Sequence, residues 1–340
     1  MSASARSREL PPRWLHRWAA LLACLVVGLI AAGALVTSKG AGLSVPDWPL
    51  SYGTLNPPNW WRISTVRAEH GHRLYAGAVA LLAFGLAIAV QRFEPRRWVR
   101  RMAWLAVAAV LAQALLGGLT VLMLLPPAVS ISHAALAELF LCLMVAIACV
   151  TGTAWAPPTL PPGDQGSGVR ESLTPGRVGV RGLAAATTAA VFVQILLGAV
   201  MRHNGAGLAI PDFPLVFGGL LPPRWDFSVT IHFAHRAWGL AVALLVFWTA
   251  GRVLRRYRGD RSLTLPALLL DLLVVIQIGL GGLVVLTGRS VPVNTAHVAT
   301  GATILALSLV LTLRLYRAEP GEARDARREA RATRREAAVS

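Results

Sequence analysis

Apolar residues gather into eight runs along the chain, each near the roughly 20 residues that a helix needs to cross a bilayer core. They predict helices over 14–36, 70–91, 99–123, 131–152, 181–202, 232–253, 264–287 and 295–316. The polar stretches between them are too short for a separate soluble domain, so the loops must supply whatever chemistry the helices do not. The expected fold class is an all-α membrane protein with eight transmembrane helices. The first run, from Trp14 to Val36, follows a basic segment as a signal peptide would. It is long and lacks a small-residue cleavage pattern, so it reads as a retained first helix.

The pattern is written twice. Gly40-Ala-Gly-Leu-Ser-Val-Pro-Asp-Trp-Pro-Leu50 returns as Gly205-Ala-Gly-Leu-Ala-Ile-Pro-Asp-Phe-Pro-Leu215, and Gln113-Ala-Leu-Leu-Gly-Gly-Leu119 returns as Gln277-Ile-Gly-Leu-Gly-Gly-Leu283. Between the copies, 153–180 is rich in Pro and Gly and reads as a linker. The expectation is two tandem four-helix bundle repeats, 1–152 and 181–317, joined by 153–180 and followed by a charged tail over 318–340. Four spans per copy is an even number, so both copies should cross the membrane in the same sense.

Charge sets the orientation. The formal net charge is +17, and the arginines fall in alternate segments: Arg6, Arg8, Arg13 and Arg17; Arg92, Arg96, Arg97, Arg100 and Arg101; Arg252, Arg255, Arg256, Arg258 and Arg261; then the C-terminal tail. The positive-inside rule makes these segments and both termini cytoplasmic in a multi-pass cell-membrane protein. The basic excess therefore encodes topology, with anionic lipid headgroups rather than nucleic acid as the partner of the tail. Cys24, Cys142 and Cys149 all lie inside apolar runs, which leaves no disulfide framework and no cysteine metal site.

Four of the eight histidines occupy matched places in the two copies: His72 with His235, and His133 with His297. All four fall within about one turn of a predicted helix start on the outer side, hence at nearly one depth. Two imidazoles per copy, on two helices, can ligate the iron of a planar macrocycle from both sides. A bare metal fits less well, because the second copy offers no third or fourth ligand. Glu69 breaks the symmetry: it precedes His72 by three residues, on one helix face, where His232 stands before His235. Capping of the helix N-terminus, anchoring of an arginine, or proton transfer beside a cofactor are all open for it. Arg73 and Arg236 each follow a proposed ligand and meet either propionates or the lipid interface. His70 reads as a bystander, and His16 and His203 as interfacial residues. The aromatics Trp48, Trp60, Trp61, Phe213 and Trp225 in the long outer loops cover a hydrophobic cofactor or form an interfacial belt. Lys39, the single lysine, meets an acidic group or nothing.

The outer-loop segment GAGLSVPDWPLSYG, the element Glu69, His72 and Arg73, its partner His235-Arg236, and the single histidines His133 and His297 together resemble the haem A synthase family of bacteria and mitochondria. The resemblance spans essentially all eight predicted helices. It implies oxidation of a ring methyl of haem O to the formyl group of haem A, for terminal oxidases. It further implies haem B between His235 and His297, substrate haem O between His72 and His133, and a catalytic role for Glu69. Haem O synthase and terminal oxidase assembly factors are the implied partners. Many members carry a cysteine pair in the first outer loop; this chain has Val45 and Ser51 in that neighbourhood and resembles a cysteine-lacking branch.

The residues alone also permit a di-haem b-type membrane cytochrome that carries electrons from quinol. Such a carrier has no evident need for a carboxylate beside only one of two matched sites. A proton-coupled transporter should show acids deep in the spans, and Asp271 is the only clear candidate.

Overall fold

A computed structural model describes residues 11–152, 155 and 179–318. Most of the expected linker and tail, together with Arg6, Arg8 and the arginines beyond Arg317, lies outside the described residues. The described chain is all-helical apart from two isolated bridges, Ser51 with Thr54 and Val216 with Gly219. Its helices are α1 (Arg13–Ser38), α2 (Ser64–Phe93), α3 (Arg97–Leu122), α4 (Pro127–Thr151), α5 (Val180–His203), α6 (Phe227–Arg256), α7 (Arg261–Leu286) and α8 (Val291–Arg317). All eight are long and apolar enough to cross a membrane, as expected of a multi-pass membrane protein.

The starts of α2, α4, α6 and α8 fall four to six residues before the expected positions. Hydropathy misses those first turns because they are held by local chemistry. Asp226 caps α6 by accepting the Val229 amide at 2.9 Å, and Pro127 and Pro292 stand at the first and second positions of α4 and α8, while α2 starts after Ile63 with no side-chain cap. The matched histidines therefore sit deeper than one turn. His72 and His235 lie eight residues into their helices and His133 and His297 six, or roughly 12 and 9 Å at 1.5 Å rise per residue.

In each half, neighbouring helices close a ring: α1 packs on α2, α2 on α3, α3 on α4, and α4 on α1, with the same circuit through α5 to α8. The halves meet through α1 and α4 on one side and α5 and α8 on the other. Each ring has its own apolar cluster. One joins Leu15, Leu22, Leu86, Phe140, Met144 and Ile147; the other joins Val246, Leu263, Leu270, Leu305, Leu311 and Leu315. Both clusters occupy the end of the bundles away from the two long loops. The loop end is left to the histidines.

Candidate functional site

α2 and α4 face each other across the diagonal of the first ring, as do α6 and α8 across the second, and these four helices carry the matched histidines. The His235 and His297 rings have centroids 6.5 Å apart with an interplanar angle of 65°. Two imidazoles on opposite sides of one metal ion, with metal–nitrogen bonds of about 2 Å, put their ring centres roughly 6 Å apart. His72 and His133 are close enough to interact electrostatically. No group of three or more His, Cys, Asp or Glu that could hold a bare metal ion occurs among the described residues.

Every one of the four rings rests on a glycine of the preceding helix. A Cβ placed on Gly33, Gly117, Gly198 or Gly281 would stand 3.2, 3.1, 3.0 or 3.3 Å from Cε1 of His72, His133, His235 or His297. Any larger residue there would push the ring. The glycine after two of these takes a loop aromatic: Gly118 lies under Trp48, and a Cβ on Gly282 would reach Phe213 at 2.7 Å. The Gly-Gly pairs thus seat a histidine and a loop aromatic side by side. Glutamines complete the frame. Gln113 donates to the His133 carbonyl at 2.9 Å and Gln194 to that of His235 at 3.0 Å, while Gln277 lies 3.4 Å from Nε2 of His297.

The long loops fold down onto the helices in the same way twice. Asp47 accepts the Tyr52 and Gly53 amides at 2.8 and 2.7 Å, and Asp212 accepts those of Phe217 and Gly218 at the same distances. The Gly53 amide, with that of Tyr52, holds the Asp47 carboxyl below the usual carboxylate range, and Gly218 and Phe217 do the same for Asp212. Tyr52 also donates its hydroxyl to the Ser44 carbonyl. Arg73 donates to the carbonyls of Asp47, Leu50 and Val45, and Arg236 to those of Leu215, Ile210 and Asp212. Most donors of both arginines are taken by the loops. In the structure they staple the loop to the helix, which leaves Arg73 only its Nε–H free for any propionate.

Glu69 is buried in the second turn of α2 and caps nothing, since the N-cap is Ile63 with no side-chain bond. The capping reading is therefore replaced by an anchoring one. Its Oε1 accepts from Arg73 at 2.7 Å and its Oε2 from the Val45 amide at 2.8 Å. His232 takes the same place in the second half, 3.2 Å from the Ile210 amide and 3.1 Å from Nε of Arg236. A neutral imidazole has a single acceptor nitrogen and serves one of these donors at a time, whereas the carboxylate serves both.

His70 is no bystander. It is buried, bonds Ser51 Oγ at 2.9 Å and meets the Trp60 edge at a centroid distance of 4.8 Å; Phe233 replaces it in the second half. Lys39 meets a hydroxyl, Ser64 Oγ at 2.7 Å. His16 bonds the Ala148 carbonyl at 2.8 Å, far from the loops. Asp271 is not the only acid deep in the spans. Glu138 is buried midway along α4, its Oε2 without a partner, on the face it shares with Cys142 toward the second half. The sequence signals for the missed residues were present: Gln113 and Gln277 open the repeated Gln-x-x-x-Gly-Gly segments, and Glu138 is a charge within an apolar run.

The residues fit a haem in each ring. Buried polar atoms are normally paired. Here Nδ1 of His72, His133 and His297 and the carbonyl oxygens of Gln113, Gln194 and Gln277 have no partner. They lie at the end of the bundles away from the apolar clusters, beside the two imidazole pairs, of which His235 and His297 are spaced for axial ligation.

Comparison with known proteins gives the family. Residues 67–310 match the model of a family described as cytochrome oxidase assembly protein. The chain is 31% identical over 277 residues to a haem A synthase of Halalkalibacterium halodurans, covering 80% of this chain and 87% of that one. It is 31% identical over 248 residues to the haem A synthase of Symbiobacterium thermophilum, covering 69% and 76%. To that of a Caulobacter species it is 28% identical over 347 residues, covering 88% and 95%. The chain belongs to the haem A synthase family of cytochrome oxidase assembly proteins.

Proposed function

We propose that this protein oxidises a ring methyl of haem O to the formyl group of haem A, for the assembly of a terminal oxidase. In this reading substrate haem sits between His72 and His133 of the first half, and haem B between His235 and His297 of the second. The observation that carries it is the duplicated imidazole pair on diagonal helices with a carboxylate, Glu69, beside only one of them. When bound, the second-half haem supplies reversible one-electron chemistry. The chain's own residues do the rest. The histidines fix each macrocycle plane, the glycines behind them fix the rings, and the stapled loops with Trp48 and Phe213 close one end against water. Glu69 keeps a second lone pair on each oxygen and holds a negative charge one turn from His72. With the arginine-rich segments facing the cytoplasm, the loop end lies at the outer face of the cell membrane.

The test is expression with a haem O source, followed by chromatography of extracted haems and spectroscopy of the purified protein. Haem A should accumulate, and His235→Ala or His297→Ala should remove the low-spin haem while His203→Ala should not. A protein that binds two haems in every condition and never yields haem A would instead be the di-haem electron carrier.

A further inference from the structure

Two arginines at the loop end of the second ring stand apart from the loop staples. Arg202 lies near the end of α5, on the stripe Gln194, Gly198, Arg202, whose first two members touch His235. Residues spaced by four share a helix face, so Arg202 sits one turn beyond the contact with the His235 ring, toward the loops. Arg289 follows α7 on the continuation of the stripe Gln277, Gly281, Val285, whose glycine touches His297. A tight turn with positive φ at Gly288 and Arg289 brings the Arg289 side chain across the loop, with its Cδ 3.6 Å from where a Cβ on Gly207 would stand. The two guanidinium charges are near enough to repel each other, and that of Arg202 is felt at His297.

Neither arginine has an ion pair among the described residues. Arg202 donates through one nitrogen to the Ala34 carbonyl at 2.8 Å and to Ser38 Oγ at 3.3 Å, both on α1, while Arg289 bonds only through its backbone amide, to the Val284 carbonyl at 2.7 Å, and its guanidinium has no hydrogen-bond partner among the described residues. Two like charges within reach of each other repel, and an anion between them relieves that repulsion. The first half removes both. Its matching stripes run Leu29, Gly33, Thr37 and Gln113, Gly117, Val121, with Leu125 in the place of Arg289, held by the same positive-φ turn against Gly42.

We propose that Arg202 and Arg289 form a dicarboxylate site that takes the two propionates of the second-half haem. The neutral Thr37 and Leu125 leave the first-half haem without such a site. One macrocycle is thereby retained as a cofactor, and the other is free to leave as product. The inference rests on the assignment of haem to the two histidine pairs.

The experiment follows transfer of haem from the purified protein to excess apomyoglobin, with the low-spin haem spectrum and its midpoint potential measured in parallel. Arg289 is exposed and its guanidinium has no partner among the described residues, so Arg289→Gln should fold normally; Arg202→Gln and the double variant extend the series. Each lost charge-assisted contact should speed loss of the second-half haem by roughly tenfold or more. It should also lower the midpoint potential, because a removed cation no longer disfavours the ferric state. The converse variant, Thr37→Arg with Leu125→Arg, should slow loss of the first-half haem. Unchanged transfer rates and potential in Arg289→Gln and in the double variant would overturn the proposal. If His235→Ala also left the low-spin haem in place, the ligand assignment beneath it would fall as well. If His235→Ala removed it, only the arginine site would.

Discussion

Glu69 can be exchanged for the residue that its own counterpart uses. Glu69→His installs in the first half what the second half already tolerates, a single acceptor between a loop amide and an arginine. Glu69→Gln is the isosteric control. In wild type both carboxylate oxygens are engaged, and the Glu69 and Arg73 side chains are 5% and 17% exposed. Gln keeps one acceptor for the Val45 amide and turns its own NH2 toward Arg73. A buried donor left unpaired costs about 1–3 kcal/mol. Arg73 keeps three carbonyl partners and some contact with solvent, so the lower end applies. Against the 5–15 kcal/mol typical of folded proteins, both variants should fold and keep the second-half haem. If the carboxylate holds or moves a proton beside the substrate, its loss should reduce haem A formation by about 10²-fold or more, the range for a positioned acid or base. The assay is the ratio of haem A to haem O in extracts, set against the amount of low-spin haem. Full haem A production by Glu69→Gln, which cannot exchange a proton, would show that Glu69 anchors a loop and nothing else.

Gly117→Val should push the His133 ring, at an overpacking cost of about 1–3 kcal/mol, and deplete haem O while haem B is retained, as read by chromatography of the extracted haems; Gly198→Val should do the reverse. Asp47 and Asp212 have native carboxyls depressed by backbone amides, so their stabilisation of the loops is complete above about pH 4 and is lost as the pH falls through the depressed values. Limited proteolysis of the loops should be flat from neutral pH to about pH 5 and rise only in stronger acid, and an onset near pH 6 would contradict the assignment. Reporter fusions after Arg97 and after Arg258 should both report the cytoplasm; a periplasmic signal at either would overturn the orientation.

How much of this was legible depended on what each signal measures. Hydropathy found all eight helices because a bilayer demands length and apolarity. It lost the first turns of α2, α4, α6 and α8, and in the last three Pro127, Asp226 and Pro292 start the helix by capping and backbone geometry instead. Repetition exposed His72, His133, His235 and His297, and with them the Asp47 and Asp212 loops. It could not reveal why Gly33 or Gly198 matters, since that depends on α1 lying beside α2 and α5 beside α6. His70 looked idle because nothing local shows that the loop brings Ser51 and Trp60 down upon it. Arg73 and Arg236 were placed by adjacency to the ligands, and their reach into the loops depends on rotamers that no spacing encodes.

The ring topology bears on how the protein melts. Within each bundle the histidine-bearing helices lie across a diagonal, and the apolar packing sits at the far end. A macrocycle ligated by both imidazoles would act as a cross-brace, and the loop end would owe its rigidity to occupancy. Binding to the folded state alone raises stability by RT ln(1 + [L]/Kd), so a haem held at about a hundred times its Kd contributes about 2.7 kcal/mol. On the proposed assignment of haem B to the second half and substrate to the first, the half with a permanent occupant keeps that support through every turnover. The half that releases its product gives it up each cycle, and heat, proteases or hydrogen exchange would find the molecule soft on one side only, in step with its catalytic work.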